Sequence, residues 1–417
     1  MEIERLCRAE QDTAAAHRAH LHRNPELSGK EFETLRYVRE ELDRLGVPWE
    51  EIPDGGLLGR LKGRAPGRKL LLRSDLDALG IREDPENLAG PKALVSRVDG
   101  VCHACGHDAH TAMLLTAAKV LAAHRDEWDG EILFLFERGE ETSFGVFPIL
   151  LHLRAHEPDL DGVCALHVLA DLEAGRLSAN PGPVMTGAVC FDVTLHGQGG
   201  HSSRPDRCNH PLDCFAAIYQ AMTALRQRYV TPYECLTYTV GLLQAGGKSN
   251  IIPESLRFAG LARFFDMEAC GEPFRREFEH IVASCCATYR CTAEYGYLTG
   301  PTIPVVNHPD CAAMARRAVS ACLGPDALAA AEPWMASESM AFYNYFYPGV
   351  LLFLGIRDGE KGMGAEHHNG KFDLDSGLLW RGVAAEVAYA LEFLNGGAPI
   401  SFTPPDRRPE DLARLYC

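Results

Sequence analysis

The chain has 417 residues, with 41 Lys and Arg against 57 Asp and Glu, and 15 cysteines. A formal net charge of -16 argues against nucleic acid or an anionic membrane as partner. The length is too great for one compact core and suits two domains.

Met1-Glu2-Ile3-Glu4-Arg5-Leu6 starts with charge and has no apolar leader, and no apolar run approaches the ~20 residues of a membrane span. The expectation is a cytoplasmic protein whose cysteines are mostly reduced, either buried or bound to metal. An odd cysteine count also sits poorly with a disulfide framework.

In chain order, residues 30–46 predict an amphipathic helix stopped by Gly46. Apolar β-rich runs follow at 57–62, 69–75, 131–137 and 162–166, with a buried helix at 109–124 between them. Strands alternating with helices predict a mostly parallel sheet with flanking helices. The pattern changes near Pro181-Gly182-Pro183. It becomes strand 188–196, helix 211–228, strands 234–243 and 255–264, helix 268–289 and strand 291–298. That is βαββαβ, the ferredoxin-like α+β order.

Near Pro301 the first pattern resumes, with a strand at 349–355 and a helix at 376–394. The expectation is an α/β domain of residues 1–183 and 302–417, with a smaller α+β domain of residues 184–301 inserted. The tail from about Gly396 holds several prolines and reads as an extended appendage.

In open α/β sheets, ligands bind beyond the carboxyl ends of the strands. Strand 69–75 ends in Asp75, with Asp77 close behind. The run His103-Ala104-Cys105-Gly106-His107-Asp108-Ala109-His110 precedes a helix and packs nitrogen, sulfur and oxygen donors into eight residues. Such a set suits a borderline-soft divalent metal. Cys102 and Cys105 also fit a Cys-x-x-Cys redox pair or half of a structural zinc site. Strand 131–137 runs into Arg138-Gly139-Glu140-Glu141, where Gly139 permits a turn that aims both carboxylates at one place. His167 follows strand 162–166, and Glu366-His367-His368-Asn369-Gly370 lies before the last long helix.

In the inserted domain, Gly197-Gln198-Gly199-Gly200-His201 presents an imidazole on a glycine-rich loop. Asn250 is a further polar candidate. Arg263 ends an apolar run from Phe258 to Ala262, and its planar guanidinium suits a substrate carboxylate.

With these residues on view, the chain resembles the zinc-dependent aminoacylase/carboxypeptidase family of metallopeptidases. It is most similar to the amidohydrolase branch holding hippurate hydrolases, indole-acetyl-amino-acid hydrolases and N-acetyl-diaminopimelate deacetylases. The likeness rests on Leu21 to Ser28, Arg73 to Leu79, Cys105 and His107, Glu140-Glu141, Leu166-His167, Gly200-His201, Asn250 to Pro253, Ser337-Glu338 and His368 to Phe372.

The resemblance implies two divalent metal ions held by Cys105, His107, Glu141, His167 and His368, with Cys105 as bridge. His368 is preferred to His367 because the family's His stands four residues before a Phe, here Phe372. Glu140 falls on the general base, and Asp77 on an acidic residue supporting the metal site. His201, Asn250 and Arg263 fall on residues of the smaller domain that close over the substrate, with His201 as oxyanion donor and Arg263 or Asn250 gripping the substrate carboxylate. His103, Asp108 and His110 are left as support, and Cys102 as a bystander. The donor types favour zinc, with manganese, cobalt or nickel as alternatives.

The chain departs from the family pattern in places. The usual Gln-Pro-Ala before the two Glu is Glu137-Arg138-Gly139, and the usual Ser-Glu-Asp-Phe is Ser337-Glu338-Ser339-Met340. Gly370 and Gly80 stand where prolines are usual. The resemblance implies a binuclear amidohydrolase acting on N-acyl amino acids, a small-molecule substrate with a free carboxylate, and a homodimer through the inserted domain. The alternative is a dipeptidase, a carboxypeptidase, or a hydrolytic deaminase of an aryl amine using the same site.

Overall fold

The computed structural model describes residues 2–396 and 400–416. The chain forms two compact units. One comprises Met1–Gly182, Val306–Glu332 and Glu338–Glu410, and the other Pro183–Val305, Pro333–Ser337 and Asp411–Cys417.

The larger unit is built on a seven-stranded sheet. Its spatial order is Trp49–Ile52, Gly56–Lys62, Glu131–Glu137, Lys69–Asp75, Gly162–Glu173, Gly349–Arg357 and Leu177–Ser178. The four strands from Glu131–Glu137 to Gly349–Arg357 are parallel, and antiparallel strands close both edges. Parallel strands covered on both faces read as continuous apolar runs. Accordingly every residue of Lys69–Asp75 is buried, and so are all but the first of Glu131–Glu137.

The helices His107–Ala123 and Leu379–Asn395 pack against Lys69–Asp75 and against each other. Val146–His156 packs on Trp49–Ile52, and Met340–Phe346 on the Gly162–Glu173 and Gly349–Arg357 strands. His107–Ala123 is buried along nearly its whole length. It has no solvent-facing stripe, which suits Ala-rich helical sequence at the centre of a unit.

The smaller unit has strands Gly187–His196, Leu236–Ala245, Ser255–Phe264 and Thr292–Leu298, with helices Pro211–Arg228 and Glu272–Tyr289. The strand order is Leu236–Ala245, Ser255–Phe264, Gly187–His196, Thr292–Leu298, antiparallel throughout. An aromatic core of Phe191, Phe215, Phe258, Phe274 and Phe278 joins sheet to helices, with ring centroids 4.6 Å apart for Phe191–Phe278 and 5.0 Å for Phe215–Phe258.

Among the described residues, five helices within the larger unit were not predicted from sequence: Ile3–Ala9, Gln11–Arg23, Val146–His156, Pro309–Leu323 and Met340–Phe346. Gln11–Arg23 shows why. Its buried residues include His17, Arg18 and His22, so its inward face is polar and leaves no apolar period to detect. Of the proline-rich tail, 397–399 lie outside the described residues. Residues 400–408 have no regular structure, and Pro409–Tyr416 is a helix. Among the described residues no helix is long and apolar enough to cross a membrane.

Glu386 on Leu379–Asn395 is an anomaly of this core. It is buried, and its Oε2 has no hydrogen-bond partner among the described residues. Burial alone holds its carboxyl well above the ordinary carboxylate range. Because the folded-state value is raised, the stability tied to its proton is present at low pH. It is lost as pH rises above the carboxyl's unfolded value. Glu386→Gln is expected to stabilise the larger unit by about 1–3 kcal/mol near pH 8, with the gain vanishing toward pH ~4. Denaturant unfolding of both proteins across that range checks this; a gain that does not change with pH contradicts it.

Candidate metal centre and active site

Strand register brings the chemistry to one edge of the larger sheet. Asp75 pairs across from Glu137, and Arg73 from Ala165, so two residues further on His167 reaches the level of Asp75. Beyond Glu137 the chain turns at Gly139, whose φ of 62° is left-handed, into a short 3-10 turn carrying Glu140 and Glu141. Gly106, at φ 98°, makes the same kind of turn before the helix that starts with His107. A Cβ on Gly106 would lie 2.4 Å from Val168 Cγ2, so only glycine lets that helix start approach the sheet.

The donors gather in overlapping sets whose ligand atoms lie within 4.8 Å of one another. Cys105, His107 and His167 form one, and Cys105, Glu141 and His368 form another, with Cys105 common to both. Cys105 Sγ is 3.6 Å from His167 Nε2. His368 Nε2 is 3.1 Å from Glu141 Oε1, yet not aligned as a hydrogen bond. His107 Nε2 and Glu141 Oε1 are buried without a hydrogen-bond partner among the described residues. Buried polar atoms are ordinarily paired, and two such atoms facing thiol sulfur and imidazole nitrogen fit a divalent cation.

The imidazoles are held in one tautomer by their outer nitrogens, as metal-ligating histidines usually are. His107 Nδ1 donates to Asp77 Oδ1 at 3.1 Å, and His167 Nδ1 donates to the Val168 carbonyl at 2.6 Å. Each leaves Nε2 turned to the centre. His367 differs: its Nδ1 donates to the Cys105 carbonyl and its Nε2 accepts from Ala170 N–H, both at 3.2 Å. Its two nitrogens are therefore occupied in bracing the Cys105 turn. His110 also braces, donating through Nδ1 to Asp75 at 2.7 Å while Nε2 accepts from Val168 N–H. Burial pushes the Cys102 thiol up to about 12 and the Cys105 thiol well up, the opposite of a reactive redox pair.

Asp77 is the common anchor. Besides His107, it accepts from Ser28 Oγ at 2.6 Å and from the backbone N–H groups of Glu140 and Glu141 at 3.1 and 3.2 Å. Burial opposes its charge, but the His107 and Ser28 bonds outweigh burial and lower its pKa. Glu140 is shifted the other way: burial first, then the negative Glu338 and Glu141, push its carboxyl well above the ordinary range. Its Oε1 accepts from Ser339 N–H at 2.7 Å. A raised carboxylate can both take and return a proton near neutral pH.

Sequence reasoning missed the network behind Glu140. Arg73 Nε donates to Glu137 at 2.7 Å, its Nη1 to Asp75 at 2.9 Å with Glu338 at 3.0 Å, and its Nη2 to Ser339 Oγ at 2.6 Å. The available signal was an arginine in a wholly buried strand, which requires buried acidic partners.

The remaining candidates belong to the smaller unit. His201 and Asn250 are neighbours: His201 pairs with Ile251, and Ser202 N–H donates to the Asn250 carbonyl at 3.2 Å. Ser203 N–H donates to His201 Nδ1 at 3.2 Å, which puts the imidazole proton on Nε2. Arg263 lies elsewhere. It pairs with Ala188 at the start of Gly187–His196, whereas His201 comes after the end of that strand. Eight residues of strand separate those levels, about 26 Å. Arg263 is half-buried, donates to Thr186 Oγ1 and Ser337 Oγ at 3.3 Å, and makes no ion pair among the described residues.

A parallel sheet carrying carboxylates, imidazoles and a thiol at its ligand edge, with a raised glutamate beside them, defines a metal-dependent hydrolase. The pattern of Peptidase family M20/M25/M40 matches residues 71–391, and the chain belongs to that family. It acts on C–N bonds. Thermostable carboxypeptidase 2 of Saccharolobus solfataricus is 30% identical over 91% of this chain and 94% of its own length. IAA-amino acid hydrolase ILR1-like 4 of Arabidopsis thaliana is 29% identical over 90% of this chain and 84% of its own. Among solved structures, the Bacillus subtilis YXEP protein, described as a dinuclear metal-binding peptidase of the M20 family, superposes with a TM-score of 0.76. Its sequence is 26% identical, and the match covers 93% of this chain and 99% of that one.

Because Asp77 orients His107 and both glutamate amides together, Asp77→Asn is expected to weaken metal affinity roughly 10–100-fold. Metal titration of the stripped protein measures this. Wild-type affinity would show that Asp77 does not hold the site.

Proposed function

We propose that the protein is a binuclear metallo-amidohydrolase that cleaves the amide bond of N-acyl amino acids or related small amides bearing a carboxylate. The observation that carries this reading is the buried, raised Glu140 set beside the Cys105, His107, Glu141, His167 and His368 donors.

Those five residues would hold two divalent ions, zinc by donor type, with manganese, cobalt or nickel as alternatives. Such ions, when bound, polarise an amide carbonyl and make a water acidic enough to lose its proton near neutral pH. Glu140 accepts that proton as the water oxygen attacks the carbonyl carbon, and returns it to the departing nitrogen as the C–N bond breaks. Asp77 keeps His107 and the Glu140–Glu141 backbone in register. His201 donates through Nε2–H to the oxyanion. Arg263, with Asn250 as the second candidate, takes the substrate carboxylate; an arginine facing only neutral oxygens supports that assignment.

His201 and Arg263 lie too far apart within one smaller unit to hold one acyl amino acid, whose extended length is roughly 7 Å. A homodimer through the smaller unit, in which the partner subunit donates His201 and Asn250, reconciles the two roles. The exposed edge strands Leu236–Ala245 and Thr292–Leu298 are open to such pairing.

Glu140→Gln is expected to keep full metal content and lose roughly 100- to 10,000-fold in kcat. The substrate is the best found in a panel of N-acyl amino acids, dipeptides and aryl amines, each tried with every candidate metal. Retention of most turnover removes Glu140 as base. A preference for peptides in the panel would shift the reading to a carboxypeptidase.

Mixing inactive Glu140→Gln with inactive His201→Ala subunits tests the shared site. Regained activity in the mixed dimer is expected. A mixture as inactive as its parents places His201 in its own subunit's reaction.

A further inference from the structure

Glu137 ends the strand Glu131–Glu137 after five buried apolar residues and is itself fully buried. Both of its oxygens are engaged. Oε2 accepts from Arg73 Nε at 2.7 Å and from the Tyr343 hydroxyl at 2.9 Å, and Oε1 accepts from Ser339 Oγ at 2.9 Å. Ser339 Oγ already accepts from Arg73 Nη2 at 2.6 Å. Its single proton therefore goes to Glu137 rather than to Glu338 Oε1, which is further away at 3.4 Å. With its hydroxyl fixed on both sides, Ser339 has no freedom to turn. Its backbone N–H donates to Glu140 Oε1 at 2.7 Å.

We propose that Glu137 is a positioning residue that fixes the general base Glu140 through Ser339. The proposal rests on Glu140 being the base. Arg73 donates to both Glu137 and Ser339, so a carboxylate moved from 137 to 339 would stay beside the same guanidinium. A serine at 339 is small enough to leave Glu137 its contact with Tyr343. A second carboxylate at 339 would meet Glu137 across the 2.9 Å now bridged by a hydroxyl proton, with strong repulsion at that range in a buried place.

The test is a reciprocal exchange in the full-length, metal-loaded enzyme, read on the best substrate of the panel. Glu137→Gln is expected to lower kcat between roughly tenfold and a hundredfold, as slight displacement of a catalytic group does, with KM and metal content unchanged. Ser339→Asp alone is expected to lower kcat as well. The double variant Glu137→Gln/Ser339→Asp is expected to recover most of the wild-type kcat, a result that a purely structural role for either residue does not produce.

The proposal is overturned if Glu137→Gln keeps wild-type kcat, if its loss appears in KM or metal content, or if the double variant is no better than the worse single one. Should Glu137→Gln fail to fold, Ser339→Ala keeps the backbone donor and removes only the bridge. Its kcat is then expected to fall with KM unchanged, and a wild-type kcat overturns the proposal. Glu140→Gln run alongside separates the two readings: if it stays active, the base assignment has failed; if it is inactive, the exchange speaks for Glu137 alone.

Discussion

One buried carboxylate, Asp77, receives four donors from three separate stretches of chain: the Ser28 hydroxyl, the His107 imidazole and the amides of Glu140 and Glu141. The geometry of the centre depends on it. The 3-10 turn after Gly139 has its first amides unsatisfied, as every helical start does, and Asp77 satisfies two of them. The same carboxylate fixes which His107 nitrogen carries the proton. A carboxylate with this many donors is stabilised in its charged form despite burial. Turn, helix start and loop are thereby locked to the end of the Lys69–Asp75 strand.

The charges around this anchor are unequal. Asp75, Glu137, Glu338 and Glu140 crowd one guanidinium, that of Arg73. Uncompensated carboxylates in a place of low polarity are costly, and the cost is met in two ways. Serine and tyrosine hydroxyls and backbone amides take up carboxylate oxygens, as at Glu137. Burial still raises the proton affinity of Glu137, and it raises that of Glu140 further, where the negative Glu338 and Glu141 add to burial. The base role proposed for Glu140 draws on this crowding of carboxylates around one buried cation. Glu386 shows the same shift with no chemistry attached, so a raised carboxyl alone does not mark an active site. The difference lies in the neighbours: Glu386 sits among core side chains, whereas Glu140 faces imidazole, thiol and a second carboxylate.

Much of this was readable beforehand. The strands 69–75 and 131–137 coincide with the structure because uninterrupted apolar runs ending in charge have few other uses inside a parallel sheet. Cys105, His107, Glu141, His167 and His368 were expected as ligands from the family resemblance, and their donor atoms fall into overlapping clusters that share Cys105 or His107. The supporting layer was not legible. Ser339 is an ordinary serine in sequence, and its importance comes from Arg73 and Glu137, 266 and 202 residues away. The end-to-end separation of His201 from Arg263 was likewise hidden, because it depends on strand register, which a pattern of apolar residues does not specify.

Backbone conformation shows that the centre is built at some expense of stability. His368 has φ of 60° and Ser143 of 54°, left-handed values that non-glycine residues rarely adopt, and Gly106 and Gly139 take similar turns nearby. Each non-glycine case costs about 1–2 kcal/mol. At 106 and 139 the chain uses glycine and avoids the cost, since no side chain is needed there. At 368 it cannot, because glycine would relieve the backbone and remove the imidazole that lies 3.1 Å from Glu141. The His368 N–H donates to the Ala104 carbonyl at 2.9 Å, tying the strained residue to the turn that presents Cys105. Arg290, which closes the helix Glu272–Tyr289 in the smaller unit, is left-handed as well, so strain alone does not mark a site; at His368 the imidazole beside Glu141 is what ties the strain to the donor cluster.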